Sequence, residues 1–448
     1  MASTPCRSAG PLSLAIAAAL AAGSAHAATI TVIDGGDSGG TSATCMLRQA
    51  IATITAKTTT DTGCFNSGDD FGSNDTIVFG GTLTAANITL SLGQLSVSGL
   101  TAPLLIRGSG QTIDANKLSR VLYAKSVTLA LSSLTLTGGS ASSGGGVYAT
   151  DSTVTLSYSA VSGNASSQGG GGVEANNGSA VTLTSSNVSG NSTTGNGGGV
   201  SASTSSTVTL TNSTVSGNSS SASGGGVHAV DSTVTLTDST VSGNSAFAGG
   251  GGYTFNFGTV NLTNSTVSGN SAHYGGGLFA VGYGTVKLTN STVSGNSASA
   301  KGGGAYAFNH GVATLTNSIL SGNTAPSLPD LHSASSSVSA TYSLLGTTLD
   351  TSPYNDPGNH NIFSDSPGLG ALANNGGLTQ TMALAENSPA LNAGDPALAV
   401  DPITLLPLNY DQRGPRFPRT LPDGTIDIGA YQHQGSDRMF ANGFESGP

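Results

Sequence analysis

Side chains able to do chemistry are few in this chain, and the interesting ones fall at a fixed spacing. Between Ser140 and Asn323 the acids are Asp151, Glu174, Asp231 and Asp238, and the only fixed cations are Lys287 and Lys301. Cleaving a glycosidic bond by acid–base chemistry needs two carboxylates facing one bond, and handling a polyuronate needs cations or Ca²⁺ ligands on one strand face. Asp151 and Asp231 occupy equivalent turn positions three repeats apart, too distant to act together at ~4.8 Å per strand. As single turn residues they suit the capping of backbone N–H groups. No catalytic residue, metal ligand or cofactor is therefore expected. Binding is a better match to what recurs: Tyr148, Glu174, Ser201, His228, Thr254, Phe279 and Tyr306 read as one outward column, with Phe308 and His310 continuing it. Exposed rings in a row suit stacking against sugars, so Tyr148, Glu174, His228, Phe279, Tyr306 and Phe308 are the candidate ligand-binding residues. The plainer alternative is a set of scattered surface side chains, with His228 merely solvated.

The elements that must carry such a column follow from an internal repeat. The triplet Ser-Gly-Asn ends at Asn164, Asn191, Asn218, Asn244, Asn270, Asn296 and Asn323, a step of 26 or 27 residues. Glycine runs keep the same step, each followed by an apolar residue: Val147, Val173, Val200, Val227, Tyr253, Leu278 and Ala305. Units that cannot bury their own apolar face must stack on neighbours, and a fixed period of this kind marks a solenoid. Within each unit apolar and polar residues alternate, as in Val208 and Leu210 among the threonines of Thr207–Thr211. Three short strands per coil predict an all-β, right-handed parallel β-helix, since parallel crossovers are right-handed. The Ser-Gly-Asn asparagines are expected to stack as a structural amide ladder in the turns, with glycine supplying positive φ.

The composition agrees with a long, weakly charged rod. Among 448 residues there are 66 Gly and no Trp, only 8% of side chains are charged, and the formal net charge is −10. That balance disfavours nucleic acid and acidic membranes as partners. Met1–Ala27 reads as a secretory signal, with Arg7 in the basic region, an apolar stretch from Pro11 to Ala22, and Ala25-His26-Ala27 as a small-x-small cleavage site. The apolar run is roughly a dozen residues, short of the ~20 that span a bilayer. No transmembrane segment is expected in the mature chain, which should be secreted or displayed at the cell surface. Cys45 and Cys64 are expected to form a disulfide, worth about 3 kcal/mol in the loop-entropy picture.

Two further stretches carry a resemblance. Cys45-Met46-Leu47-Arg48-Gln49-Ala50-Ile51, followed by Asp75-Thr76-Ile77-Val78-Phe79, resembles the CSLREA domain, with Met46 and Gln49 departing from its signature. After the repeats, Leu369–Leu372, Asn374–Thr381, Ser388–Asp395, Asp411–Gly414 and Asp427–Tyr431 fall in the order seen in choice-of-anchor Q domains. The repeats themselves are similar to polymorphic outer-membrane-type repeats, with Val in place of Phe. The resemblance implies an exported bacterial β-helix of the pectin-lyase-like kind, associated with the cell surface, and names no activity. The expected organisation is a signal peptide (1–27), an N-terminal cap with a short amphipathic helix (28–75), the β-helix (76–345), a choice-of-anchor Q-like segment (346–435) and a tail (436–448). Met439–Glu445 resembles short tails on exported bacterial proteins.

The expected function is accordingly non-catalytic, adhesive or carbohydrate-binding, with glycans or cell-surface components as partners. A polysaccharide lyase or hydrolase is the alternative. A third reading is ice binding through a T-x-T face: Thr182/Thr184, Thr209/Thr211, Thr235/Thr237 and Thr314/Thr316, interrupted at Asn261 and Lys287. Threonine is also simply a good exposed strand former.

Overall fold

The computed structural model describes residues 27–38, 44–59, 62–67, 71–83, 86–347 and 357–435. The signal peptide and the tail expected from the sequence lie outside the described residues. Between Thr29 and Phe363 the described residues wind as a parallel β-helix, successive coils pairing in parallel, with local register shifts between Arg107 and Gln111, Ser166 and Gly169, and Ala272 and Tyr274. Its strands form three sheets, of 22, seven and ten strands.

A single coil shows why. Thr207–Thr211 alternates exposed and buried residues, placing Val208 and Leu210 at 0% exposure in the core. Asn212 then takes a left-handed backbone (φ 51°), which turns the chain into a second short strand, Thr214–Ser216, that still belongs to the broad 22-stranded sheet. Gly217-Asn218 turns again into Ser219–Ser220, a strand of the narrow seven-stranded sheet. The alternation pattern predicts three strands per coil; the structure adds this fourth one, too rich in Ser and Gly to show an alternation of its own. Glycines 224–226 make the last sharp turn into Val227–Val230, on the ten-stranded sheet.

Straight columns of identical residues fill the interior. Each Ser-Gly-Asn asparagine is buried, and its amide donates to the Oδ1 of the next one at 2.9–3.0 Å, from Asn164 through Asn191, Asn218, Asn244, Asn270 and Asn296 to Asn323. Asp330 ends the ladder by accepting from Asn323 at 2.9 Å. A second ladder of serines runs beside it, Ser186 N–H to Ser213 Oγ and onward through Ser239. These ladders satisfy turn amides that would otherwise be buried without partners.

The N-terminal end is closed by a helix. Helix α1 (Leu47–Ala56) buries Leu47, Ala50, Ile51 and Ile54 on the first coils, with Gln49 accepting the Met46 N–H at its start. Arg48 fixes it by pairing with Asp37 and donating to the carbonyls of Gly93 and Gln94. Cys45 and Cys64 are joined by a disulfide. At the other end residues 366–435 fold back along the flank of the last coils. Gln412 donates to the Ser239 carbonyl, and Arg419, fully buried, donates to Asn264 Oδ1 and to the carbonyls of Gly429 and Ala430.

Candidate functional site

Register on the ten-stranded sheet decides which side chains share a face. Parallel pairing runs Tyr123, Tyr148, Glu174, Ser201, His228, Tyr253, Phe279, Tyr306, His332, one residue per coil. Tyr148, Glu174, His228, Phe279 and Tyr306 therefore do form one column. Thr254 does not belong to it: it pairs with Ala229 and is wholly buried in the interior, while Tyr253 faces outward. The run of four glycines in this coil places Gly252, not Tyr253, at the position of Val227, and a slip of one residue exchanges the two faces of a strand. Phe308 stands in the neighbouring column, paired with Val281.

The column is outward but hardly exposed. Glu174, His228, Phe279 and Tyr306 keep only 5–8% of their surface, against an expectation of open rings. The reason is the fourth strand. The narrow sheet stands beside the ten-stranded sheet as a wall, and the glycine turn between them is tight: at Gly170 (φ 55°) a Cβ would lie 2.8 Å from the Cβ of Glu174. From this wall Ala248 and Tyr274 pack over Phe279 and Tyr306. The rings stack on one another, His228 on Tyr253 at 5.3 Å and Phe279 on Tyr306 at 4.8 Å, nearly parallel in both cases. At the N-terminal end Tyr148 stacks on Tyr123, and Arg120 lies over both rings.

Two titratable groups sit in this closed column. Burial pushes the Glu174 carboxyl up to about 7, opposed by hydrogen bonds from Ser201 and Ser203. Ser203 donates to Oε1 at 3.0 Å, while Oε2 is buried without a partner, close under Gly169. Burial pulls His228 down to about 4, and its Nδ1 is likewise unpartnered. Among the described residues no group of three His, Cys, Asp or Glu is placed to hold a metal ion.

Open aromatic surface lies one corner away; the sequence singles out Phe308 and His310 there but not Phe255, Phe257 or Tyr283. At the turn from the ten-stranded sheet into the broad sheet, Phe257, Tyr283 and His310 follow one another on successive coils. Phe257 is 68% and Tyr283 52% exposed, and Phe255 and Phe308 flank them, also exposed. All three corner residues have left-handed backbones, φ 63°, 66° and 66°. Bulky residues rarely adopt that conformation, at a cost of order 1–3 kcal/mol. Upstream corners use Gly178 and Ser205 at the same place. Ring centroids step by 5.3 and 4.8 Å with planes within 16° of parallel. Since carbon surfaces touch at about 3.5–4 Å, the rings must overlap as tiles do, each slipped by roughly 3–4 Å. Part of every face is left open. Phe255 rests against Gly282, where a Cβ would come within 2.5 Å of its ring, so glycine is required there. The signal in the sequence was Asn-Phe-Gly, Gly-Tyr-Gly and Asn-His-Gly at the coil period.

The threonine face keeps its register, Thr182, Thr209 and Thr235 in one column and Thr184, Thr211 and Thr237 in the next. Beyond them Asn261, Thr263 and Thr289 are buried and Lys287 is exposed, so the array ends where the C-terminal segment begins to cover the coils.

The model of the right-handed beta helix region matches residues 102–293 and 171–342. No curated protein matches the chain. Among solved structures, a crystal structure of pectate lyase Pel9A aligns with 80% of this chain and 88% of that chain, at 15% identity and a TM-score of 0.47.

Proposed function

This chain belongs to the right-handed beta helix family, and on that premise we propose that it is an exported, surface-associated protein that binds polysaccharide through the corner ridge of Phe255, Phe257, Tyr283, Phe308 and His310. The observation that carries the proposal is the combination of exposure and strain at Phe257 and Tyr283. Large rings in left-handed backbone conformations, pointing into solvent, cost stability and bury little, so folding does not account for them. A ridge of partly open faces advancing one coil at a time suits the apolar C–H faces of successive sugar units along a chain. The column of Tyr148, Glu174, His228, Phe279 and Tyr306 then supports the ridge from below, Phe279 and Tyr306 being packed under the wall and Tyr306 contacting Phe308 at 5.7 Å.

A second reading, a polysaccharide-active enzyme, is favoured by one observation: a carboxyl held up to about 7, as a general acid working near neutral pH needs. Against it stands the enclosure of Glu174, 5% exposed with no second carboxylate in its column.

One experiment separates the two. The purified chain is screened on a glycan array and incubated with neutral and acidic polysaccharides, reading both retention and new reducing or unsaturated ends. Binding that disappears in Phe257→Ala/Tyr283→Ala, with no new ends formed, is the expected result. Product formation abolished by Glu174→Gln would establish the enzyme instead. Retention unaffected by the double substitution would reject the ridge.

A further inference from the structure

The C-terminal segment docks on the corner column where the two strands of the broad sheet meet, and the chemistry of that docking repeats from coil to coil. The corner residues are Tyr158, Ser185, Asn212, Asp238, Asn264, Asn290 and Asn317, all left-handed. Where the segment covers them, Asn264 and Asn317 pair with its backbone amide groups, while Asn290 is buried beneath it with its own amide unpaired. Asn264 donates to the Tyr410 carbonyl at 2.9 Å, and Asn317 both donates to the Asp395 carbonyl and accepts its N–H at 2.9 Å. Two residues after Asp238, Asn264 and Asn290 a threonine hydroxyl joins in: Thr240 donates to the Gln380 carbonyl, Thr266 to Gln412 Oε1, and Thr292 accepts the Ala430 N–H.

Coverage stops at Leu378, which is 72% exposed, one residue before Thr379 donates to the Asp238 carbonyl. Beyond it the same corner continues as an open groove of about 530 Å³, lined among others by Leu134, Tyr158, Ser186, Asn212, Thr214 and Leu378. Asn212 and Thr214 are the in-register copies of Asn264 and Thr266, and no side-chain hydrogen bond engages either of them among the described residues. Leu378 and Tyr158, 71% exposed, add apolar surface. The groove thus carries the donor and acceptor set that holds polypeptide on the neighbouring coils, continuous with that interface.

We propose that this groove binds an extended segment of another polypeptide, one that offers a backbone carbonyl to Asn212, an amide oxygen to Thr214 and an apolar side chain to the Tyr158–Leu378 surface. It is a site separate from the aromatic ridge, and its test does not depend on glycan binding.

The probe is a fluorescent peptide copying Gly376–Met382, a stretch that already lies on the equivalent corner. Saturable binding to the full chain is expected, with a scrambled peptide silent. Asn212→Gly/Thr214→Val, substitutions that suit a left-handed corner and an outward strand position, should weaken it about tenfold or more through loss of two hydrogen bonds. Phe257→Ala/Tyr283→Ala should leave it unchanged. Equal affinity of the Asn212→Gly/Thr214→Val variant, or no saturation at millimolar peptide, overturns the proposal. Binding that appears only after removal of residues 436–448 assigns the groove to the chain's own terminus and overturns it too.

Discussion

Replacing Glu174 by Gln should change how stability depends on pH more than how large it is. The folded carboxyl titrates at about 7 against 4.5 for an open one, because burial penalises its charged form. A group whose folded pKa is raised contributes stability that is complete below its unfolded value and is lost as pH climbs through the folded one. For Glu174 the window runs from about 4.5 to 7. The shift corresponds to about 3 kcal/mol at 1.36 kcal/mol per pH unit. Gln retains the size and the donors' acceptor but cannot ionise, so the variant escapes this loss. At pH 4.5 the two proteins should unfold within about 1 kcal/mol of each other; above pH 8 the variant should be more stable by about 3 kcal/mol. With roughly 2.1 cal/mol/K of unfolding entropy per residue, a chain of this length converts that into a Tm difference of about 3–4 °C. Thermal unfolding of both proteins, followed by circular dichroism from pH 4 to 9, measures the difference directly, and the other titrating groups cancel. Parallel curves across the whole range would mean that Glu174 ionises freely in the folded chain, and the assignment of a raised carboxyl there would be wrong.

His228 works in the opposite sense. Its lowered pKa means stability that is full above about 6.5 and lost as pH falls through about 4, so His228→Phe, which keeps the stack on Tyr253, should flatten the acid limb of the same curve. Phe257→Gly should remove glycan retention while leaving Tm unchanged or slightly raised, since glycine relieves a left-handed backbone; a clear drop in Tm would show that the ring is structural. Asn218→Ala deletes a buried side chain that donates to Asn244 and Val188 and accepts from Asn191. About 3 kcal/mol or more should be lost in denaturant unfolding, and a near-neutral result would remove the ladder from the account of stability. Reduction of Cys45–Cys64 should cost about 3 kcal/mol and open the N-terminal cap first, visible as early proteolysis there while the coils stay protected.

The coil was legible in the sequence because its determinants are local and repeated. Val208 and Leu210 alternate with threonine, the Ser-Gly-Asn turn returns every 26 or 27 residues, and each asparagine from Asn164 to Asn296 donates to its copy in the next coil. Single departures from the repeat were harder. Four consecutive glycines at 249–252 left the register open by one residue, and counting from the end of the run put Thr254 where Tyr253 belongs. Burial of the column was invisible for a different reason: it depends on a short wall strand, Ser219–Ser220 in one coil and Ser271–Tyr274 in another, whose presence no alternation signals. Contacts such as Gln412 with Ser239 or Arg419 with Asn264 join residues more than 150 positions apart, and no spacing argument reaches that far.

The aromatic ridge lies where the coil stops repeating itself, and that follows from how a solenoid is stabilised. A repeated column must use side chains that stack on their own copies, which fixes Val, Leu, Ser and Asn inside and leaves Ser and Thr outside. Any coil that keeps to the pattern presents the same bland surface as its neighbours. Recognition of one partner needs a place that differs from the rest. From Phe255 to His310 the corner residues change from small and polar to aromatic, and the inner column of the ten-stranded sheet changes with them, from Val227 to Gly252, Leu278 and Ala305, while the broad-sheet column keeps Val234, Val260 and Val286 buried and the asparagine ladder runs on unbroken. The ladder therefore carries the strain of Phe257 and Tyr283 without being altered by it, and a substitution on the ridge should act on binding alone. If Asn218→Ala and Phe257→Gly were combined, their effects on Tm should simply add, because the two residues lie on different faces and share no partner. A coupling of more than about 0.5 kcal/mol would mean that the ridge is part of the scaffold, and the case for a binding surface at that corner would fall with it.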